Sequence, residues 1–592
     1  MIVKCSYVAF IGIPTPQNID TIRMFLSTVE VESTGALRDL RKEICAEHPE
    51  ITSTTATFHK ATPFSNKTEQ DHHDIIHEVF GVAADEILPR WSLIVCFEHS
   101  NQPAVVPSST QDDDEARDVV GKMERDFKRY TEAVMSGKSP SAAAKSNNYS
   151  ENQASDNALL DGRFNESGNT TTALPIELYH PAFANFLSNA RDPDLQVPDD
   201  VLCSTAKLIR QLSVIRVLEN PRSSDCRQTL ADIMGSALSE LVNKDSSSAD
   251  FMSPHPTPMN VFAAPDIVEI KSEWGSGGCD PSVQVSFSYA RFYCQDDSER
   301  IRDVSCCPSF LVGLAGSWIG ILGAVMTSRT IVQRLSGFEW FGCSRALDNE
   351  QVINLGRLLY ALRLGIAELK QYYSNLAAPT VIPGHVAPRF CPYIDSVVDS
   401  TGQTVTFSYV QPLEPEPTCA TFQAKLLDGE DAGKLVVVKF VKQYCAAAHT
   451  WLAGKGFAPR LVYDGTSGPR YGGFALVVMD YVEGKTLHAL YDKEALPNDV
   501  RKAVRKALNE LAKGKFIFGD LRTPNIMLTN GDESVEKRLH FIDFDWACRE
   551  GDGVRYPFHL SRAIWEPSGA SEYQFIERKH QESMFNSLNW LK

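Results

Sequence analysis

The sequence predicts an α+β protein of several domains. Three observations predict it. The chain has 592 residues, of which 43% are hydrophobic, more than one core can use. At ~150 residues per domain this implies three to five domains. Short alternating or continuous apolar runs, which read as strands, recur beside helical spacings in three regions. A Ser/Asn/Ala/Gly-rich stretch and a Pro-rich stretch divide those regions. Charged residues at 22% and aromatic residues at 9% exclude wholesale disorder, collagen and coiled coil. With a net charge of −17 and a pI of about 5.4, the chain is not a general polyanion binder, and any nucleic-acid surface is local. The 14 cysteines are scattered without a C-x-x-C pair, as reduced intracellular thiols would be.

The first region, 1–103, alternates strands and helices. Val3 to Ile13 reads as a strand, in preference to a signal peptide, because no small-x-small cleavage site follows. Leu37, Leu40 and Ile44 share a helix face. Ala56 to Lys60 and Trp91 to Phe97 read as further strands, with a helical turn around Ile75, Ile76 and Val79 between them. His72, His73, His77 and Glu78 have metal-site spacing but find no third ligand in register, so a solvated helix end is expected. Residues 104–173 read as a linker. Asp112 to Glu115 can open a polar helix reaching Met135, and the composition beyond Gly137 predicts disorder.

The central region, 174–380, opens with helical patterns at Leu202 to Leu218 and Leu230 to Val242. The apolar strand that follows, Asp266-Ile267-Val268-Glu269-Ile270-Lys271, carries E-x-K. Alternation puts Glu269, Lys271 and Glu273 on one face. A carboxylate for a divalent ion beside a lysine near the attacking water is what metal-dependent phosphodiester cleavage needs. Asp280 to Gln284 then opens a helix that turns Gln284 and Tyr289 toward the strand. The stretch resembles the PD-(D/E)XK restriction-endonuclease superfamily, which implies a further acidic residue from a preceding strand. Asp266 is taken as that metal ligand together with Glu269, although it lies close to Glu269. Asp250 is an alternative, and Glu240 an outer carboxylate on the second helix. Val304 to Ser328 contains no charge, but its glycines suit two buried strands joined by a tight turn rather than a membrane span. Cys306 and Cys307 enter that hairpin as structural residues, and a long helix from Val352 to Tyr373 closes the region.

The last region, 390–592, places Lys439 in the apolar strand Leu435 to Phe440. A second strand, Phe474 to Met479, runs into a hinge at Asp480 to Gly484. Gly519-Asp520-Leu521-Arg522-Thr523-Pro524-Asn525 follows, and then Ile542-Asp543-Phe544-Asp545. This is the layout of a kinase-like phosphotransferase. Lys439 would take the α and β phosphates of ATP, Asp520 would sit at the acceptor hydroxyl, and Asn525 and Asp543 would hold Mg²⁺. Four departures stand out. Phe518 replaces the loop histidine, and Pro415 to Ala420 stands where a Gly-rich phosphate cover belongs. No glutamate follows Lys439 on its helix, and Asp545 replaces a glycine. The motifs are similar to the compact aminoglycoside or choline kinase branch.

Taken together, the chain resembles the Crinkler-type effectors of fungi and oomycetes. The resemblance implies a small ubiquitin-like domain at the N-terminus, an α/β restriction-endonuclease-like core and a bilobal protein-kinase-like domain. It also implies a secreted protein that acts inside a host nucleus. ATP with Mg²⁺ or Mn²⁺ as cofactors, DNA at the central region and a host protein are the expected partners, and no membrane span is expected. The leading expectation is an effector that joins a Mg²⁺-dependent nuclease to an ATP-binding kinase-like domain. Its alternatives are an atypical protein or small-molecule kinase with a structural central domain, and a non-catalytic pseudokinase and pseudonuclease scaffold.

Overall fold

In a computed structural model of the chain, strands form at the β-branched and aromatic runs and the backbone sorts into two units, Met1–Ala116 and Arg117–Lys592. The structure describes residues 118–166, 171–242, 248–346, 348–377, 386–399, 402–492, 494–558, 560 and 562–591, and the backbone of five strands in the first unit. Those strands are β1 (Ile2–Ile11), β2 (Met24–Glu32), β3 (Ala56–Lys60), β4 (Glu69–Gln70) and β5 (Leu93–Phe97). They form one sheet in the order β2-β1-β5-β3-β4. β1 runs parallel to β5 and antiparallel to β2. β1, β3 and β5 match the predicted strands, and β2 has no counterpart among them. The helix around Leu40, the turn around Ile75 and the His72, His73, His77 and Glu78 segment lie outside the described residues.

The second unit opens with α1 (Val119–Ser136), whose Asp118 cap accepts a hydrogen bond from Gly121 N–H at 2.8 Å. α2 (Pro140–Ala143) and α3 (Ser146–Gln153) follow where composition predicted disorder. The neighbouring domain supplies the missing apolar surface. Ala144 and Tyr149 bury against Val283, Arg291 donates to the Val134 and Gly137 carbonyls, and Gln153 closes its own loop on Leu159.

The central region contains α4 (Pro181–Arg191), α5 (Asp199–Leu212), α6 (Glu219–Met234), β6 (Ser239–Val242) and β7 (Ser248–Met252). Two short strands, β8 (His255–Pro256) and β9 (Phe262–Ala263), precede β10 (Asp266–Lys271). Next come α7 (Pro281–Cys294), β11 (Ser309–Ala315), β12 (Trp318–Met326), β13 (Thr330–Trp340) and α8 (Asn349–Ser374). The sheet order is β13-β12-β11-β10-β7-β6. β10 and β11 are parallel, a pairing that needs a crossover, and α7 supplies it. The uncharged segment is the predicted hairpin, β11 against β12. Gly316 turns it with φ +58°, and at Gly313 a Cβ would come within 2.9 Å of Ser282 N, so α7 approaches as closely as a glycine allows. The predicted helix through Val242 is corrected. Gly235, at φ +63°, closes α6, and Glu240 sits exposed on β6.

The last region begins with β14 (Ser396–Val398), β15 (Thr404–Pro412), β16 (Thr421–Leu426), β17 (Leu435–Val441), α9 (Ala446–Ala453), β18 (Leu461–Asp464) and β19 (Ala475–Asp480). Its sheet order is β14-β15-β16-β17-β19-β18. Then come β20 (Gly484–Thr486), α10 (Asn498–Lys513), β21 (Phe516–Ile517), β22 (Ile526–Thr529), β23 (Leu539–Phe541), β24 (Cys548–Arg549) and α11 (Arg578–Ser587). These form two small sheets, β20-β22-β23 and β21-β24, around the helices. The cores do not follow the sequence divisions. Phe407, Phe422, Val436, Val438, Leu476 and Val478 belong to the same apolar cluster as Ile267, Phe310 and Leu369 of the central region. Apolar residues from Ala448 and Leu452 of α9 through to Phe585 fill a cluster of their own. Leu174 N–H donates to the Pro417 carbonyl at 3.0 Å, tying the loop between β15 and β16 to the central region. Among the described residues, no helix is long and apolar enough to cross a membrane.

Candidate active sites

In the central region, the alternation of β10 sends Glu269 and Lys271 toward α6 and α7, and it sends Asp266, three positions from Glu269, to the opposite face. Asp266 is completely buried there and accepts from Ser253 Oγ at 3.0 Å. The expectation that it joins Glu269 at a metal is therefore corrected. Asp250 is the acid that lies beside Glu269 instead. It lies on β7, the antiparallel neighbour of β10, and its carboxylate accepts from Ile270 N–H at 2.7 Å, between Glu269 and Lys271.

Glu269 is fully buried. Its two oxygens accept from Ser288 Oγ at 2.6 Å and from Gln284 Nε2 at 2.8 Å, both on α7. Burial first, and then the Asp250 charge, hold the Glu269 acid well above the carboxylate range. Burial likewise raises Asp250. Lys271 reaches Glu219, the first residue of α6, at 3.1 Å. Burial alone would lower its pKa, but Glu219, Asp250 and Glu269 outweigh burial and raise it. Glu273 turns away to an ion pair with buried Arg222 at 2.8 Å. Tyr289 donates to the Cys307 carbonyl and is structural. The site is therefore Asp250, Glu269, Lys271, Glu219 and Gln284. Two desolvated acids beside a lysine form a donor set whose protons a divalent cation would displace. Among the described residues, no group of three or more His, Cys, Asp or Glu side chains is arranged to hold a metal, so such a cation would complete its shell with solvent or substrate oxygens.

In the last region, Lys439 projects from β17 and donates to Asp543 Oδ1 at 2.7 Å and Asp545 Oδ1 at 2.6 Å. The strand and the acidic loop thus meet as predicted. Asp543 has φ +66°, a strained conformation in which its carboxylate meets Lys439. Burial opposes its ionisation, but Lys439 outweighs burial and lowers its pKa. Asp520 is buried and held by both nitrogens of the Arg522 fork, at 2.5 and 2.7 Å. Burial raises its pKa against the pull of Arg522, and the nearby Asp543 charge raises it further. Asn525 Nδ2 donates to the Asp520 carbonyl at 3.0 Å, and Ile542 N–H donates to the Asn525 carbonyl at 3.0 Å, joining the two loops. Gly519 makes the turn into Asp520 at φ +78°, where a Cβ would lie 2.2 Å from the Trp546 carbonyl oxygen. These contacts bring together Lys439, Asp520, Asn525 and Asp543, the four residues chosen from the sequence. The amide of Asn525 and the carboxylate of Asp543 are oxygen donors suited to Mg²⁺.

Two residues that matter here are not singled out by the sequence. Glu219 sits at a helix start hidden in a polar run, and Asp545 reads only as a departure from a glycine.

No protein-family model and no curated protein matches the chain. Among solved structures, the kinase PK-1 of the Cydia pomonella granulovirus aligns over 30% of this chain and 65% of its own, with 18% identity and a TM-score of 0.23. The chain thus spans just under two thirds of that kinase.

Proposed function

We propose that the chain joins a divalent-metal-dependent nuclease in its central region to an ATP-binding, kinase-like phosphotransferase in its last region. One observation carries the reading. In each region a lysine on a buried strand pairs with an acid from another element, Lys271 with Glu219 beside the charges of Asp250 and Glu269, and Lys439 with Asp543 and Asp545.

In the central site, a divalent ion at Asp250 and Glu269 would supply Lewis acidity to the scissile phosphate. Gln284 and Ser288 fix the Glu269 carboxylate, and Lys271, steered by Glu219, offers a cation to the developing phosphorane charge. In the second site, Mg²⁺ would neutralise the phosphate oxygens. Asn525 and Asp543 would hold it, Lys439 would bind the phosphates, and Asp520, braced by Arg522, would orient the acceptor hydroxyl. The parallel pairing of β1 and β5 at the centre of the first sheet supports a ubiquitin-like N-terminal domain. That domain and the two sites together favour a Crinkler-type effector that reaches a host nucleus.

A second reading, a kinase-like enzyme with a structural central region, is favoured by the full hydrogen-bonding of both Glu269 oxygens. Two assays separate the readings. Nucleic-acid cleavage with Mg²⁺ or Mn²⁺, lost in Lys271→Ala and Asp250→Asn, supports the nuclease, and cleavage unchanged in both variants removes it. ATP turnover lost in Asp520→Asn supports the phosphotransferase, and turnover unchanged there removes that half.

A further inference from the structure

The lysine of the second site has a partner that neither the helix beside it nor the metal-binding aspartate alone provides. α9 reads Ala-Ala-Ala-His-Thr-Trp-Leu-Ala and contains no acid. Its residue nearest the lysine in role, His449, is fully buried and committed elsewhere. Nδ1 pairs with the Tyr444 hydroxyl at 2.7 Å, Nε2 pairs with the Pro459 carbonyl at 2.9 Å, and the ring stacks on Phe544 at 4.5 Å. Asp545 meets Lys439 at 2.6 Å, as closely as Asp543 does at 2.7 Å. The link between the two aspartates is the Asp545 N–H, which points at Asp543 Oδ1 at 3.4 Å.

We propose that Asp545 is the positioning residue for Lys439, the carboxylate that keeps its ammonium on the phosphates of a bound nucleotide while Asp543 serves the metal. This rests on the phosphotransferase reading. Its consequence is structural. The lysine and its anchor sit on one strand and one loop, so Lys439 is set without any movement of α9. Phe544, between the two aspartates, is clamped by the His449 stack and by the edge of Phe518 at 5.4 Å. The loop that bears both carboxylates is therefore fixed by aromatic packing.

The test is a double-mutant cycle on nucleotide affinity in the full chain, read by the anisotropy of a fluorescent ATP analogue, with EDTA and again with Mg²⁺. Asp545→Asn is expected to weaken binding about tenfold in both conditions, a loss typical of one charge-assisted contact. In a Lys439→Met background the same substitution is expected to cost nothing more. Asp545→Glu should restore part of the affinity. Additive losses, a loss seen only with Mg²⁺, or no loss at all would each overturn the assignment. The first two would mean that Asp545 acts by itself or as a metal ligand. Where Asp545→Asn does not fold, Asp545→Glu carries the same cycle, and additivity there overturns the assignment equally. Wild type that binds no nucleotide in either condition removes the phosphotransferase reading and this assignment with it. Binding by wild type combined with additive losses removes this assignment alone.

Discussion

The two sites differ in how they deal with buried charge. In the central site the acids outnumber the lysine, and burial holds Asp250 and Glu269 above the carboxylate range. In the second, one lysine sits between two acids and keeps Asp543 ionised, while burial, with the Asp543 charge, pushes Asp545 up to about 8. The central site therefore waits for a cation to replace protons on both of its strand acids, whereas the second already keeps one of its two acids ionised against its lysine. Their mechanical settings differ as well. The central sheet and the sheet bearing Lys439 share one apolar cluster, while Asp520, Asn525 and Asp543 hang on a separate core. The second site thus lies across a seam between two cores, and the first lies within one.

The largest expected effects test whether the sites are chemically separate. Asp520→Asn should lower phosphoryl transfer by about 10²–10⁴-fold and leave nucleic-acid cleavage unchanged. Asp250→Asn should do the reverse. Radiolabelled phosphate transfer and plasmid cleavage on the same preparations check both, and a cross-effect in either direction would break the separation.

Metal dependence should differ with pH. Asp250 and Glu269 hold protons to higher pH than usual, so cation binding at the central site displaces protons and strengthens as pH rises. Asp543 is already ionised, and the proton of the second site sits on Asp545, so cation binding there gains from one group only, as pH rises through about 8. Calorimetric Mn²⁺ titrations in two buffers of different ionisation enthalpy, on Asp543→Ala and on Lys271→Ala with Asp250→Asn, would show the larger proton release where the central site is intact.

Asp266 sharpens the same contrast on the far side of β10. Burial raises its pKa to about 7, against the opposing Ser253 hydrogen bond. A folded-state value above the unfolded one means that its contribution to stability is complete below pH ~4 and is lost as pH rises through about 7. The bound on the loss is ~4 kcal/mol. The melting temperature should fall between about pH 5 and pH 8, and Asp266→Asn should flatten that slope. An equal slope in the variant would mean that Asp266 is not the titrating group.

What the sequence makes legible follows from local pattern. The lysines on β10 and β17, the loop from Gly519 to Asn525 and the uncharged hairpin all lie in runs whose periodicity or glycine spacing is complete in itself. Asp250 is harder to place, because β7 is a short Ser-Ala-Asp-Phe-Met strand whose pairing with β10 is a tertiary fact. Glu219 begins a helix with little amphipathic pattern. The order of 140–153 is illegible because its apolar partners, Val283 and Phe287, belong to another element. Gly313 shows the same limit. Its role depends on α7 coming close, and Gly313→Ala should cost about 1–3 kcal/mol by pushing the helix start away, with a matching loss at the Glu269 pair that α7 braces. Thermal melting and Mn²⁺ affinity measured together would check both.

The smallest expected effect concerns the seam. Phe518 directly precedes the Gly519 turn into Asp520, and its burial is complete. Its ring meets Phe541 edge-on at 4.9 Å and Phe544 at 5.4 Å, while its N–H donates to Gln581 Oε1 at 2.7 Å. A histidine there would bring ring nitrogens into an apolar socket and leave a donor or acceptor unsatisfied, at about 1–2 kcal/mol. Phe518→His should therefore lower the melting temperature slightly and bring no gain in phosphoryl transfer. Phe518→Leu should keep the stability better but loosen Phe544, and so weaken nucleotide binding more than it lowers the melting temperature. A faster Phe518→His enzyme would show that this position serves chemistry, and the aromatic clamp would then not be what sets the acidic loop on its side of the seam.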